Sequence, residues 1–291
     1  MTERMITLSS GHRLWTRRVE GGPGLPLLLL HGGPGAGHDY LEPLEALAAD
    51  RPVIFYDQLG CGRSDRPEDT ALWTITRFAD EVEEVRAALG LERCHILGQS
   101  WGGWLLIEYL LRQPRGVASA VLASTSASIP LFAAECQRLI GLMEPRHQQA
   151  LAEHGARGAY DHPDYLAAVD EFYARHLCRL PQTPDCLART VANLDGNPVY
   201  LTINGPNEFT TIGNLRDWDR TADLHAISLP VLITCGRYDE LGPVCAEAMA
   251  AELPAARIEL FEDSAHVAHI EEPEAYAACV AAFLKQHDGQ A

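Results

Sequence analysis

The chain has 291 residues, 47% of them apolar and 22% charged, with a formal net charge of -17 and a pI near 5.0. Such a balance fits a soluble globular chain with a sizeable core, and its sign excludes nucleic acid and anionic membranes as expected partners. Met1–Ser10 is polar and of mixed charge, and Leu25–Leu30 is too short to cross a bilayer, so neither a signal peptide nor a membrane span is expected.

Met5–Leu8 and Arg13–Val19 read as a hairpin around Ser9–His12. Strands and helices then alternate: a strand over Leu25–Leu30, a helix over Tyr40–Ala49, a strand over Pro52–Tyr56 and a helix over Phe78–Leu89 with acidic residues outward. A strand over His95–Leu97 leads into a helix that stops before Pro114, and Val117–Leu122 is again a strand. From 124 to 226 the rhythm is broken by helical, proline-bearing sequence with no convincing parallel strand. It resumes with a strand over Leu229–Cys235, a helix from about Val244, a strand over Arg257–Phe261 and a helix over Pro273–Gln286. Continuous apolar strands between helices predict an α/β fold, its mostly parallel sheet covered on both faces. Residues 1–123 and 227–291 form the expected core, and 124–226 an expected helical cap over the strands' carboxyl ends, where such sheets bind ligands.

Gly98-Gln-Ser-Trp-Gly-Gly103 carries the chemistry. A serine in a Gly-x-Ser-x-Gly turn between strand and helix is lifted clear of the sheet as a nucleophile. It needs a base, and the base an orienting carboxylate. Asp239 follows the strand ending at Cys235 and His266 follows the strand ending at Phe261, so the order Ser100, Asp239, His266 places all three at carboxyl ends. His269 is a second candidate base, less well placed, and Glu240 a second candidate acid. Gly33, in His31-Gly-Gly-Pro-Gly35, and Trp101 offer backbone N–H groups to an oxyanion. The same glycine string lacks the Lys-Ser/Thr that a phosphate loop requires.

Other features carry less. Eight scattered cysteines include no Cys-x-x-Cys, which points to free thiols in a reducing cytoplasm; only Cys178 and Cys186 stand close enough for a local bridge. Asp161-His-Pro-Asp164 lacks a third metal ligand at a suitable spacing, so no metal is expected. Asp57–Asp65 suits the shaping of a loop better than chemistry.

The chain resembles the α/β-hydrolase superfamily and, within it, the proline iminopeptidase group. The resemblance rests on His31–Gly35 with His38-Asp-Tyr-Leu41, Asp57–Asp65, Gly98–Gly103, Asn204-Gly-Pro-Asn-Glu-Phe209, Tyr238-Asp-Glu240 and His266-Val-Ala-His-Ile-Glu-Glu-Pro273, and runs from about Gly32 to Pro273. It implies an α/β-hydrolase fold and a cofactor-free serine exopeptidase that releases an N-terminal proline or small apolar residue from short peptides. It further implies that Glu208 and Glu240 hold the substrate's α-amino group. An amidase or esterase acting on amino-acid amides would use the same machinery, and a non-catalytic receptor is a remoter reading. Oligomeric state is left open.

Overall fold

The computed structural model describes residues 1–289. Eight strands form one sheet: β1 (Thr2–Thr7), β2 (Arg13–Val19), β3 (Leu27–Leu30), β4 (Val53–Tyr56), β5 (Cys94–Gln99), β6 (Val117–Ala123), β7 (Val231–Gly236) and β8 (Ala256–Phe261). Their spatial order is β1-β2-β4-β3-β5-β6-β7-β8. The hairpin β1/β2 joins the sheet antiparallel to β4, and every pairing from β4 to β8 is parallel. Leu30 pairs with Gly98 and Gln99 with Ala123, so β3, β5 and β6 end level at one edge.

The helices are α1 (Ile75–Leu89), α2 (Trp101–Leu110), α3 (Ile129–Ile140), α4 (Pro145–Gly155), α5 (Pro163–His176), α6 (Asp185–Leu194), α7 (Pro198–Ile203), α8 (Gly242–Glu252), α9 (Ala268–Glu271) and α10 (Pro273–His287). Helix α1 begins three residues earlier than its apolar pattern because the Thr74 hydroxyl accepts the Arg77 N–H, a cap worth about 1 kcal/mol. Phe78, Val82 and Val85 form its buried stripe. The acidic residues of α1 are not all outward: Glu81 is buried, accepts the Leu59 N–H and pairs with Arg77 at 2.7 Å. The expected helix over Tyr40–Ala49 is a 3-10 run, Asp39–Ala49, with Pro43 inside it; proline offers no N–H to a helical ladder. The strand expected from Leu25 starts at Leu27, since the Leu25 N–H is taken by Asp288 at 2.9 Å.

Residues 124–226 carry α3–α7 and a 3-10 turn, Thr221–Ala226, and no strand of the sheet. Phe132, Tyr165, Phe172 and Trp218 from this stretch belong to the same apolar cluster as Ile96, Leu122 and Ile233 of the sheet. All eight cysteines are free thiols, Cys178 and Cys186 included. Among the described residues no helix is long and apolar enough to cross a membrane.

Asp57 fixes the loop between β4 and α1. It is fully buried; Oδ1 accepts the His38 backbone N–H and ring Nδ1, each at 2.8 Å, and Oδ2 accepts the Arg63 N–H at 2.8 Å. Burial opposes its charge, but the His38 bond and charge hold its carboxyl below the usual range. Asp57→Ala orphans three donors, two of them buried on His38, and urea unfolding should register a loss of about 3–5 kcal/mol. A loss under about 1 kcal/mol would show that the loop is held elsewhere.

Candidate active site

Ser100 sits where β5 ends and α2 begins, with φ 56° and ψ -122°. Such a backbone is costly for a residue with a Cβ and persists only where the surroundings enforce it. Here they do: the Ser100 N–H donates to Ala123 O and its carbonyl accepts the Thr125 hydroxyl, both at 2.9 Å. A Cβ on Gly98 would lie 2.1 Å from Gly102 O, and one on Gly102 the same distance from Leu30 O. Only glycine lets strand and helix approach this closely. Trp101 opens α2, so its N–H has no helical carbonyl to reach and lies at the positive end of the helix dipole.

The loop bearing Gly33 is anchored to the elbow from beneath. The Trp101 indole donates to Gln58 Oε1 at 2.9 Å, and Gln58 donates its amide to His31 O at 2.8 Å and its backbone N–H to His31 Nε2 at 3.0 Å. Burial pushes His31 down to about 4, leaving it a neutral acceptor. A second tie runs through Gln99. Its Oε1 accepts the Tyr40 hydroxyl at 2.5 Å, its Nε2 donates to His266 O at 3.1 Å, and the Tyr40 hydroxyl in turn accepts the Gly32 N–H at 2.7 Å. The oxyanion loop, the serine turn and the histidine loop therefore share one chain of hydrogen bonds. Sequence reading passed over Gln99, Tyr40 and Gln58; the only signal was their place inside motifs whose other positions drew attention.

His266 Nδ1–H donates to Asp239 Oδ1 at 2.9 Å, which leaves Nε2 as the imidazole's acceptor. Asp239 is buried, and its Oδ1 also accepts the Leu241 N–H at 3.1 Å. The histidine loop is braced by two acids of the following helices: Glu271 accepts the Ala265 N–H at 2.7 Å, and Glu272 the Ser264 hydroxyl at 2.5 Å. His269 faces elsewhere, bonded to Tyr40 O at 3.1 Å; burial pushes it down to about 3. It lies between the rings of Tyr40 and Tyr276, not on the cavity.

A cavity of about 610 Å³ opens over these residues, lined by Gly33, Gln99, Ser100 and His266 from the sheet side and by Tyr173, Tyr200 and Glu208 from residues 124–226. Glu208 Oε1 accepts the Tyr200 hydroxyl at 2.9 Å, and its N–H donates to Tyr173 OH at 3.1 Å. Burial raises the Glu208 carboxyl, against the pull of the His266 charge. Glu240 is fully buried, its Oε1 4.0 Å from His266 Nδ1, and neither of its carboxylate oxygens has a hydrogen-bond donor. Burial raises it well above the carboxylate range; the His266 charge opposes this, while Glu208 and Asp239 add to it. On His266 itself burial acts downward, but the Asp239 charge and hydrogen bond, followed by Glu240 and Glu208, push it up to about 9. The site thus gathers three carboxyl groups around one imidazole. It is short of positive charge.

Asp161-His-Pro-Asp164 lies apart from this cavity, at the start of α5. His154 supplies the third neighbour that sequence spacing did not reveal, its donor atom within 4.8 Å of those of His162 and Asp164. The two imidazoles stack face to face, centroids 3.6 Å apart, and His162 Nδ1 is occupied by the Asp164 N–H. Parallel stacked rings do not aim their nitrogens at a common point, as tetrahedral coordination requires.

The family model described as alpha/beta hydrolase fold matches residues 26–273. A proline iminopeptidase of Heyndrickxia coagulans is 40% identical over 97% of this chain and 98% of its own. One from Levilactobacillus brevis is 44% identical over 91% and 90%. The crystal structure of a proline iminopeptidase from Mycobacterium smegmatis superposes with a TM-score of 0.93 at 40% identity, over 99% of both chains. The chain belongs to the proline iminopeptidase group of the alpha/beta hydrolase family.

Proposed function

We propose that the protein is a serine exopeptidase that releases an N-terminal residue, proline or a small apolar one, from short peptides through an acyl-enzyme. The observation that carries the reading is Glu240, buried with two undonated carboxylate oxygens beside the cavity that Glu208 and Ser100 line. Buried acceptors are rarely left without donors, and a substrate ammonium supplies what this pair lacks. The names of the relatives accord with it.

In this reading Ser100 attacks the carbonyl while His266 Nε2 takes its proton, then returns it to the leaving amine. Asp239 holds the imidazole tautomer and stabilises the imidazolium. The Gly33 and Trp101 N–H groups receive the oxyanion. Glu208 and Glu240 fix the α-amine, so the cleaved bond is always one residue from the N-terminus. Residues 124–226 act as a cap that blocks the far side and excludes longer N-terminal extensions. Eight free thiols fit a reducing cytoplasm. Hydrolysis rates across aminoacyl p-nitroanilides, with and without a free amine, test the assignment; a preference for N-acetylated substrates would reject it.

Ser100→Ala keeps the Cβ and the fold, and should lower kcat by about 10⁴-fold or more. His266→Ala should be as severe, and combining the two should add little, because nucleophile and base act as one unit. His269→Ala should instead lower Tm while the folded enzyme keeps kcat/KM within about tenfold, since it removes packing and a bond to Tyr40. Reversed ranking of the two histidines in a side-by-side assay would move the base to His269.

Glu208→Gln preserves volume and removes one charge. With a free-amine substrate kcat/KM should fall about thirty-fold to several-thousand-fold, the range for truncating one partner of a buried charge pair. p-Nitrophenyl acetate, which carries no amine, should be hydrolysed nearly as before once the pH is high enough to leave His266 neutral in both forms. Equal loss of both activities would make Glu208 a structural residue.

The carboxylates around His266 also set a pH dependence. A base must be neutral to accept the serine proton, and these carboxylates favour the protonated ring. Ester kcat/KM of the free enzyme should therefore climb towards pH about 9 rather than level off near neutrality. Glu240→Gln removes a negative neighbour and should move that limb to lower pH, read with p-nitrophenyl acetate. An unmoved limb would place Glu240 out of electrical contact with the base.

A further inference from the structure

Helix α6 does more than wall the cavity: one face of it grips the loop that carries Gly33. Arg189, Thr190 and Asn193 share that face, and Asn197 continues it just past the helix end. The Asn193 amide donates to Ala36 O at 3.0 Å and to Asp39 Oδ2 at 3.1 Å. The buried Asn197 amide donates to Gly35 O at 3.3 Å and to Gly60 O, in the loop after β4, at 3.2 Å. Thr190 Oγ1 accepts the Tyr40 N–H at 3.1 Å. A Cβ on Gly35 would stand 3.1 Å from Asn197 Nδ2, and one on Gly37 3.0 Å from Asn193 Nδ2. Both amides therefore press on the loop where it has no side chains. Little holds the loop from within, since its own backbone bond, Ala36 N–H to Gly32 O, is long at 3.4 Å.

An oxyanion donor serves only if it stands where the charge will form, and a preorganised one does so before the substrate arrives. A glycine has no side chain to anchor it, so the direction of the Gly33 N–H is set by the residues that follow, Gly35 and Ala36 among them. We propose that Asn193 and Asn197 are positioning residues for the oxyanion hole: they hold the carbonyls of Ala36 and Gly35, and so aim the Gly33 N–H at the carbonyl that Ser100 attacks. Neither asparagine lines the cavity, so both act through the loop and not on the substrate. The inserted segment then contributes to the chemical step as well as to binding. Arg189 ties the same two elements without touching the loop carbonyls, by bonds to Asp39 Oδ1 at 2.8 Å and Glu42 Oε2 at 2.6 Å. The inference rests on the proposed reading for the roles of Ser100 and Gly33, and is independent of the amine site.

The test measures p-nitrophenyl acetate hydrolysis on its high-pH plateau, where His266 is neutral, together with inhibition by phenylboronic acid. The boron adds the Ser100 oxygen as the serine proton passes to His266, giving a tetrahedral anion that mimics the oxyanion. Asn197→Asp keeps an acceptor for the Val199 N–H, bonded at 2.9 Å in the native chain, but offers Gly35 O and Gly60 O no donor. Asn193→Ala removes the other grip at a half-buried position, and carries the test if Asn197→Asp does not fold. Each should lower kcat about ten- to hundredfold, since misplacement by about 1 Å can cost about 10²-fold. KM should change less than about threefold, because acylation and deacylation pass through the same oxyanion and slow together. Ki for the boronate should rise in step with the fall in kcat, as an analogue loses what the transition state loses. Arg189→Ala should keep kcat and Ki within about twofold. Loss of kcat with unchanged Ki, an equal loss in Arg189→Ala, or full kcat in the folded asparagine variants overturns the proposal. A wild type that cleaves the ester but not proline p-nitroanilide rejects the aminopeptidase reading alone, and the ester and boronate values still decide the positioning.

Discussion

One imidazole surrounded by three carboxyl groups governs the site. Asp239 orients the ring and exerts the largest pull on its proton, to which Glu240 and Glu208 add. Glu240, buried within 4.0 Å and without donors of its own, makes the arrangement incomplete. Burying a carboxylate away from water is costly unless a counter-charge or donors offset it, and the protein offers Glu240 no donor, only the His266 charge at 4.0 Å. In the proposed function this deficit would tie binding to chemistry: a substrate ammonium arriving at the carboxylates would relieve their pull on the His266 proton and free the base.

That cluster holds its shape because rigid elements surround it. Glu240 is fixed through its backbone, its N–H donating to His176 O at the end of α5. The ring of His176 in turn bonds Tyr238 O at 2.8 Å. Gln99 joins the serine turn to the histidine loop, and Tyr40 extends that link to the oxyanion loop. Distances of this kind are set by hydrogen bonds between loops rather than within them. Preorganised donors act at no cost of rearrangement when the oxyanion forms.

Much of this was legible in the sequence, because strand ends mark where parallel sheets act. Ser100 was readable from the glycines that flank it, and Asp239 and His266 from their positions after β7 and β8. The buried state of Glu240 was not. Its surroundings come from α3 and α5, in Cys136 and His176, and no local pattern announces a contact across a hundred residues. Glu81 misled for a similar reason: an acidic residue on an amphipathic helix reads as solvated until a distant N–H, that of Leu59, is found to need it. The Tyr40 segment reads as α-helix by its apolar spacing, and Pro43 turned it to 3-10.

The apolar cluster that runs from the sheet into α3, α4 and α5 has a consequence for how the enzyme diversifies. An inserted segment with a core of its own could be swapped or lost as a module. This one lends Phe132, Tyr165 and Phe172 to the same interior as Ile96 and Leu122, so removing it would expose the sheet's own face. Sheet and insertion should melt in a single cooperative transition. A change of specificity that keeps this frame would have to act through side chains on the cavity walls of α5 and α6.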